Sequence, residues 1–335
     1  MSRKWSVVVL FLMLASLVAA CGGTGGDEEG GVFRVAVIMP STVNDLAFSQ
    51  SMYDALLKIQ ADMGGPDKME LVYSENMFVV DDAAAAIRDY ATQGYDLIIA
   101  HGSQYGSSLK EIAPDFPKTA FAHGTTVDTF VDEGINNVFA YEAASDEGGY
   151  VNGVIAGKLT KSNIIGVVGP IETGDAKLYI DGFVAGAKAS NPDVQVNVNY
   201  IGSFSDVALA SEAASTHISA GADVLTGSAQ MVVGAIGKAK ENGVLWFGTQ
   251  ASQTSLAPDV VVANEIYDWT VVLNDIIDQM DNGTYGGKAY VINLENGGEV
   301  VEFNPDFNLP ADVKQLAEDT IQGIKDGSIT IPAAQ

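Results

Sequence analysis

The 335-residue chain carries 43 acidic against 17 basic side chains, a formal net charge of −26, with 47% hydrophobic residues and a single cysteine. Such a charge excludes nucleic acid as an expected partner, since phosphate backbones are bound by surplus Lys and Arg. One cysteine excludes an intrachain disulfide, so a chain of this length must rely on an apolar core. The first element is an export signal over residues 1–20: Arg3 and Lys4 precede an apolar stretch from Val7 to Val18, followed by the small residues Ala19 and Ala20. The stretch is too short for a membrane-spanning helix, which needs roughly 18 or more apolar residues with suitable flanks.

Val18-Ala19-Ala20-Cys21 resembles a bacterial lipobox. That resemblance implies lipidation of Cys21 through its thiol, cleavage before it, and attachment to a membrane. Gly22 to Gly31 (GGTGGDEEGG) has no apolar residue to bury and reads as a spacer, so residues 21–32 form a lipidated, flexible N-terminus. Loss of the signal removes two cations and lowers the charge from −26 to −28. A surface that acidic keeps a protein soluble.

From Phe33 onward, short Val- and Ile-rich runs alternate with longer segments of helical periodicity, the pattern of βαβ units. Strands are expected at Phe33 to Met39, Met69 to Ser74, Asp96 to Ala100, Thr119 to Ala122 and Asn137 to Tyr141. Helices are expected at Leu46 to Met63, Asp81 to Gln93 and Ser107 to Ala113. A second series follows Glu142, with strands at Ile164 to Val168, Val194 to Ile201, Asp223 to Thr226, Leu245 to Gly248 and Val260 to Asn264. Its helices are expected at Glu147 to Leu159, Lys177 to Ala189, Ala208 to Ala220 and Val232 to Glu241. A helix from Trp269 to Gln279, strands around Ala289 to Leu294 and Val300 to Phe303, and a helix from Ala311 to Ile324 close the chain. The pattern predicts two α/β lobes, each a parallel sheet flanked by helices, with residues 33–141 plus 265–292 in one and 142–264 plus 293–331 in the other. Three crossings, near Glu142, Asn264 and Asn293, would form a hinge, and the cleft would lie beyond the carboxyl ends of the strands.

No catalytic spacing is present: there is no G-x-x-x-x-G-K-[ST], G-x-S-x-G, H-E-x-x-H or C-x-x-C. An enzyme is not expected, nor a metal or other cofactor. His101 and His123 each end a predicted strand and would face either the cleft or the core, while His217 lies on a helix face and reads as structural. Gly166 to Gly174 (GVVGPIETG) follows a strand as a phosphate loop does, but Pro170 and Ile171 break the dinucleotide pattern.

Several segments in order are similar to the basic membrane protein family of ABC-transporter solute-binding lipoproteins, which includes purine-nucleoside receptors. They are Asn44-Asp45-Leu46-Ala47-Phe48-Ser49-Gln50, Asp96-Leu97-Ile98-Ile99 with Gly102, Glu147-Gly148-Gly149-Tyr150, Ala156-Gly157-Lys158-Leu159-Thr160, Gly182-Phe183, Asn191-Pro192, Tyr200-Ile201-Gly202-Ser203-Phe204-Ser205-Asp206, Ala220-Gly221-Ala222-Asp223-Val224 and Trp269. The resemblance covers nearly the whole chain after the spacer. It implies a two-lobed, type 1 periplasmic-binding-protein-like fold that captures a small solute and delivers it to a membrane permease with its ATPase, as a monomer. Phe48 and Phe204 would stack on a flat ring, with Asp45, Ser49 and Gln50 beside the first; either phenylalanine would otherwise pack in the core. Gln104, Tyr105, His123, Thr173, Gln230 and Trp269 fall after strands or at helix starts, where they would line the cleft.

The sequence departs from nucleoside-binding relatives where they carry an aspartate for the ribose hydroxyls: here Thr249-Gln250 follows Phe247-Gly248. No lysine stands near Glu265-Ile266-Tyr267-Asp268. The amide of Gln250 lacks charge, so the expected solute is a purine base or nucleoside, or another small polar or heterocyclic molecule. A surface lipoprotein that reports its ligand to a membrane sensor is the alternative.

Overall fold

The computed structural model describes residues 31–332. The signal segment, Cys21 and the spacer up to residue 30 lie outside the described residues. Strands β1 (Phe33–Ile38), β2 (Met69–Ser74), β3 (Leu97–Ala100), β4 (Ala120–Gly124) and β5 (Val138–Ala143) alternate with helices α1 (Phe48–Asp62), α2 (Val80–Thr92) and α3 (Gly106–Ile112). With β11 (Ala289–Ile292) they form one sheet in the order β11-β5-β4-β3-β1-β2, parallel throughout. The second half repeats this plan. Its strands are β6 (Ile164–Gly169), β7 (Gln195–Tyr200), β8 (Val224–Gly227), β9 (Leu245–Gly248), β10 (Val261–Tyr267) and β12 (Glu299–Phe303), in the order β12-β10-β9-β8-β6-β7.

The second sheet differs from the expected all-parallel one: β12 runs antiparallel to β10, pairing Tyr267 with Glu299. The reason is its connection. β12 enters from β11 of the other sheet after only a short turn, not through a crossover helix from its own neighbour, and only such crossovers impose parallel pairing.

Alternation within the strands covers both faces of each sheet with apolar side chains. Val35 and Val37 of β1 join Leu97 and Ile99 beneath α1 and α8 (Thr270–Asp281), whereas Ala36 and Ile38 join Ile98 and Ala100 beneath α2 and α3. In the second lobe, Ile165 and Val167 pack under α4 (Asp146–Leu159), α5 (Gly174–Ser190) and α9 (Ala311–Lys325). Val168 and Leu225 lie under α6 (Val207–Ser219) and α7 (Val233–Asn242).

Helices α4 and α5 approach backbone to backbone, because both present glycines four residues apart. A Cβ on Gly149 would strike the backbone of Tyr179, one on Gly153 that of Phe183, and one on Gly186 that of Tyr150. The Gly-Gly pair at 148–149, which reads as a turn or helix start, thus lies in the first turn of α4 and its second member serves packing.

The chain passes between the sheets after β5, after β10 and between β11 and β12. These passages are bonded to one another. Ser145 Oγ meets the Tyr267 hydroxyl at 2.7 Å, Ala144 N–H donates to Ile292 O at 2.9 Å, and Asp268 N–H donates to Gly298 O at 2.7 Å. β10 runs on to Tyr267, three residues past its expected end, and so carries Glu265 and Tyr267 into this region.

Beneath the passages, Glu265 and Glu299 are almost completely buried. Glu299 Oε1 accepts from Gly148 N–H at 2.9 Å. Both oxygens of Glu265 and the second oxygen of Glu299 have no hydrogen-bond partner among the described residues. Burial raises both carboxyls, Glu299 to about 8 and Glu265 well above the usual range, and the negative charge of Glu299 adds to the rise of Glu265. The pair therefore holds a proton at neutral pH. No described helix is long and apolar enough to cross a membrane.

Candidate functional site

Open parallel sheets gather loops at the carboxyl ends of their strands, and here the two sets face a common cavity of about 260 Å³. From the first sheet come Pro40 after β1, Phe78 after β2, Gly102, Ser103 and Gln104 after β3, and Thr125 after β4. Phe48 joins them from the first turn of α1. From the second sheet come Thr173 to Ala176 after β6, Phe204 after β7, Ala229 and Gln230 after β8, and Gln250 after β9. Three of these, Thr125, Ala229 and Gln250, hold φ values of 57°, 71° and 70°. Non-glycine residues adopt that conformation at a cost, which tends to be borne at functional sites. A larger depression of about 480 Å³ lies at the opposite edge of the first lobe, around Pro114, Ile135 and Tyr285, and no charged side chain lines it.

Phe48 is positioned from behind. His101 stacks flat on its ring, Tyr141 lies nearly parallel to His101 at 18° with centroids 6.0 Å apart, and Trp269 meets Phe48 edge-on at 6.5 Å. His101 is fully buried, with Nδ1 bonded to the Tyr141 hydroxyl at 2.8 Å and Nε2 to the Phe48 carbonyl at 3.0 Å. Burial lowers its pKa to about 3, so it stays neutral.

Of the residues singled out in the sequence, Phe48, Gln104, Thr173, Phe204, Gln230 and Gln250 come together on this cavity. The structure places the others elsewhere. Asp45 caps α1, its carboxylate accepting from the backbone N–H groups of Ala47, Ser49 and Gln50. Ser49 is buried and its Oγ accepts from Ser41 N–H at 3.1 Å. Gln50 turns back to Leu46 N–H and reaches Asp54. Tyr105 is buried in the core under α2 and α3, donating to Met77 O at 2.8 Å. His123 packs against Phe130, and burial lowers its pKa. Trp269 is fully buried and donates to Ser51 Oγ at 2.9 Å.

Asp175 is the charged cavity residue that sequence reasoning passed over. It stands in the first turn of α5, where the helix dipole favours a carboxylate. Protein crowds it on most sides, yet it keeps some surface toward the cavity. Burial raises its pKa, opposed by hydrogen bonds from Gln250, the backbone and Tyr267. Gln250 Nε2 donates to its Oδ2 at 3.4 Å and the Tyr267 hydroxyl donates to the same oxygen at 3.3 Å. The signal for it was the GVVGPIETG stretch: a loop unsuited to phosphate delivers an acid to the same place.

No Lys or Arg lines the cavity. Among the described residues no cluster of His, Cys, Asp and Glu is arranged to hold a metal. What the arrangement offers is a non-covalent site: aromatic faces from both lobes, amides and hydroxyls at the edges, and one carboxylate.

A family model described as ABC transporter substrate-binding protein PnrA-like matches residues 32–335. The chain is 31% identical over 308 residues to a purine-binding protein of Brucella abortus, covering 92% of this chain and 85% of that one. It is 28% identical over 360 residues to the ABC transporter nucleoside-binding protein BmpA of Lactococcus lactis, covering 99% of each. Among solved structures, an ABC-transporter solute-binding protein from Aeropyrum pernix matches with a TM-score of 0.76 at 19% identity, covering 90% of this chain and 94% of that one. One from Conexibacter woesei matches at 0.75 and 24%, covering 90% and 99%. These structural likenesses speak to the two-lobed α/β fold. The family is one of solute-binding proteins and not of enzymes. On the match over residues 32–335, the chain belongs to the PnrA-like family of ABC-transporter substrate-binding proteins.

Proposed function

We propose that this protein is a lipid-anchored, extracytoplasmic receptor that captures a purine base or nucleoside between its lobes and delivers it to an ABC permease and its ATPase. One observation carries the reading. Phe48 of the first lobe and Phe204 of the second line the same cavity at the carboxyl ends of both sheets, and paired aromatic faces are how a flat ring is held at low entropic cost. The cavity of about 260 Å³ lies just below the range of roughly 300–1,000 Å³ typical of small-molecule sites, which suits a solute of one or two rings. The names of the relatives from Brucella abortus and Lactococcus lactis point to the same ligand class.

In this reading the lobes comprise residues 33–141 plus 265–292 and 142–264 plus 293–331, and the bonded passages between the sheets are the hinge. Ligand affinity for the closed arrangement shifts the population toward it, and the closed surface docks on the permease. Attachment through Cys21 keeps a monomeric receptor at the membrane. A thermal-shift panel of nucleobases, nucleosides and unrelated metabolites tests the ligand class: a shift confined to purines supports it, and silence across the purines overturns it. Replacement of Cys21 by Ala should move the protein from the membrane fraction to the medium or periplasm.

A further inference from the structure

Gln250 is 2% exposed, lines the cavity, and has an Oε1 without a hydrogen-bond partner. Its amide nitrogen faces Asp175 Oδ2 at 3.4 Å, which leaves Oε1 over. The site thus places an unpartnered neutral acceptor, Gln250 Oε1, next to the Asp175 carboxylate, which already accepts from Gln250 and Tyr267, and no Lys or Arg lines the cavity. A buried acceptor such as Gln250 Oε1 is costly until a donor arrives. The adjoining space holds Glu142 and also Lys177, whose ammonium is already paired with Asp181 and Glu172.

We infer that Asp175, together with Gln250, is the specificity-determining pair of the cleft: it selects ring ligands that present two adjacent hydrogen-bond donors and rejects anionic ones. The inference rests on the proposed aromatic cleft. The paired donors have two sources in a purine ligand, the N–H groups along one edge of an amino-substituted base or the vicinal hydroxyls of a ribose. A phosphate or carboxylate would meet Asp175 with no counter-charge. The selectivity would differ from that conferred by an aspartate at position 250, because here the charge comes from the start of α5 and position 250 supplies a neutral acceptor.

The test is calorimetry on the full-length protein in detergent, with guanine against hypoxanthine, guanosine against 2′-deoxyguanosine, and guanosine monophosphate. The first pair differs by the amino group beside N1–H, and the second by one of two neighbouring hydroxyls. For the unmodified protein, the ligand with both donors should bind more tightly in at least one pair, and the monophosphate should bind at least about 100-fold more weakly than guanosine. Asp175→Asn should weaken the two-donor ligand by about 10- to 100-fold and reduce that pair's discrimination to within about threefold. The pair that responds identifies the source of the donors. Gln250→Asn, which withdraws Oε1 while tolerating the left-handed backbone, should act in the same direction and guards against a folding defect in the first variant. If both variants leave both ratios unchanged while Phe204→Ala abolishes binding, the assignment of Asp175 and Gln250 falls and the aromatic cleft stands. If no purine ligand binds the unmodified protein, or Phe204→Ala leaves affinities within twofold, the cleft reading falls and takes this inference with it.

Discussion

His101 lies flat against Phe48, with ring centroids 3.7 Å apart and 7° between planes. The histidine that follows β3 therefore forms the rear support of a cavity-lining ring. Its two nitrogens are bonded to Tyr141 and to the Phe48 carbonyl, which fixes the ring in place. His101→Ala should leave a void and free the Phe48 ring. The expected loss of stability is about 2–4 kcal/mol, read by denaturant unfolding. Ligand affinity should fall by about tenfold or more through the loss of preorganisation.

Phe204 sits on a loop, and its carbonyl accepts from Met231 N–H at 3.1 Å, which ties that loop to the segment before α7. Its half-buried ring contributes to the cavity more than to either core. Phe204→Ala should therefore lower the melting temperature by only a degree or two while weakening purine binding by about 10-fold or more. A calorimetric titration beside a melting curve separates these effects.

The glycines of α4 make a sharp contrast with one on α7. Gly153→Ala places a methyl group against the backbone of Phe183 and Ala187, so α4 and α5 must separate; a cost of about 3 kcal/mol or more is expected in urea unfolding. Gly237, inside α7, has open space where its Cβ would stand. Gly237→Ala should stabilise the protein by about 0.5–1 kcal/mol, because the unfolded chain loses freedom and the helix gains propensity.

Stability should also depend on pH through the buried carboxyls. Glu265 and Glu299 bind protons more tightly in the folded protein than the usual carboxylate value of 4.5. The contribution of Glu299 is full below that value and is lost as pH rises through about 8, and that of Glu265, raised by burial and by Glu299, is lost in the same direction. The loss is on the order of a few kcal/mol, and the melting temperature should fall between pH 6 and pH 9. Glu299→Gln, which mimics the protonated form, should flatten that limb. His101, His123 and His217 are all lowered by burial. Their contribution has the opposite sign, present above about 6.5 and lost as pH falls, so the optimum lies in the mildly acidic range.

The strands and helices were legible because apolar runs bounded by turn residues are local signals, and both sheets are covered on both faces. The antiparallel β12 was not, since pairing direction follows from a passage between lobes and leaves no mark on the Glu299–Phe303 segment itself. The repeated strand order of the two halves was also hidden, because topology is kept by burial pattern and not by residue identity. At the cavity, Phe48 and Phe204 could be noticed as aromatic residues placed just after a strand or at a helix start. Tyr105, His123 and Trp269 share that local position, yet the structure turns them into the cores, where their neighbours come from distant segments. Asp175 escaped notice because an acid in the first turn of a helix is ordinary in sequence; only the fold brings Gln250 and Tyr267 to it.

The Tyr267 hydroxyl bonds Ser145 on one passage between the sheets and also reaches the carboxylate of Asp175 on the cavity wall. A single phenol thus belongs to two structures at once, the joint and the container. Any solute atom that claims Asp175 Oδ2 competes with this hydroxyl, and whatever it displaces is displaced at the joint. If the passages act as the proposed hinge, a solute on Asp175 would reach it through one shared hydroxyl, with no relay through the body of either lobe.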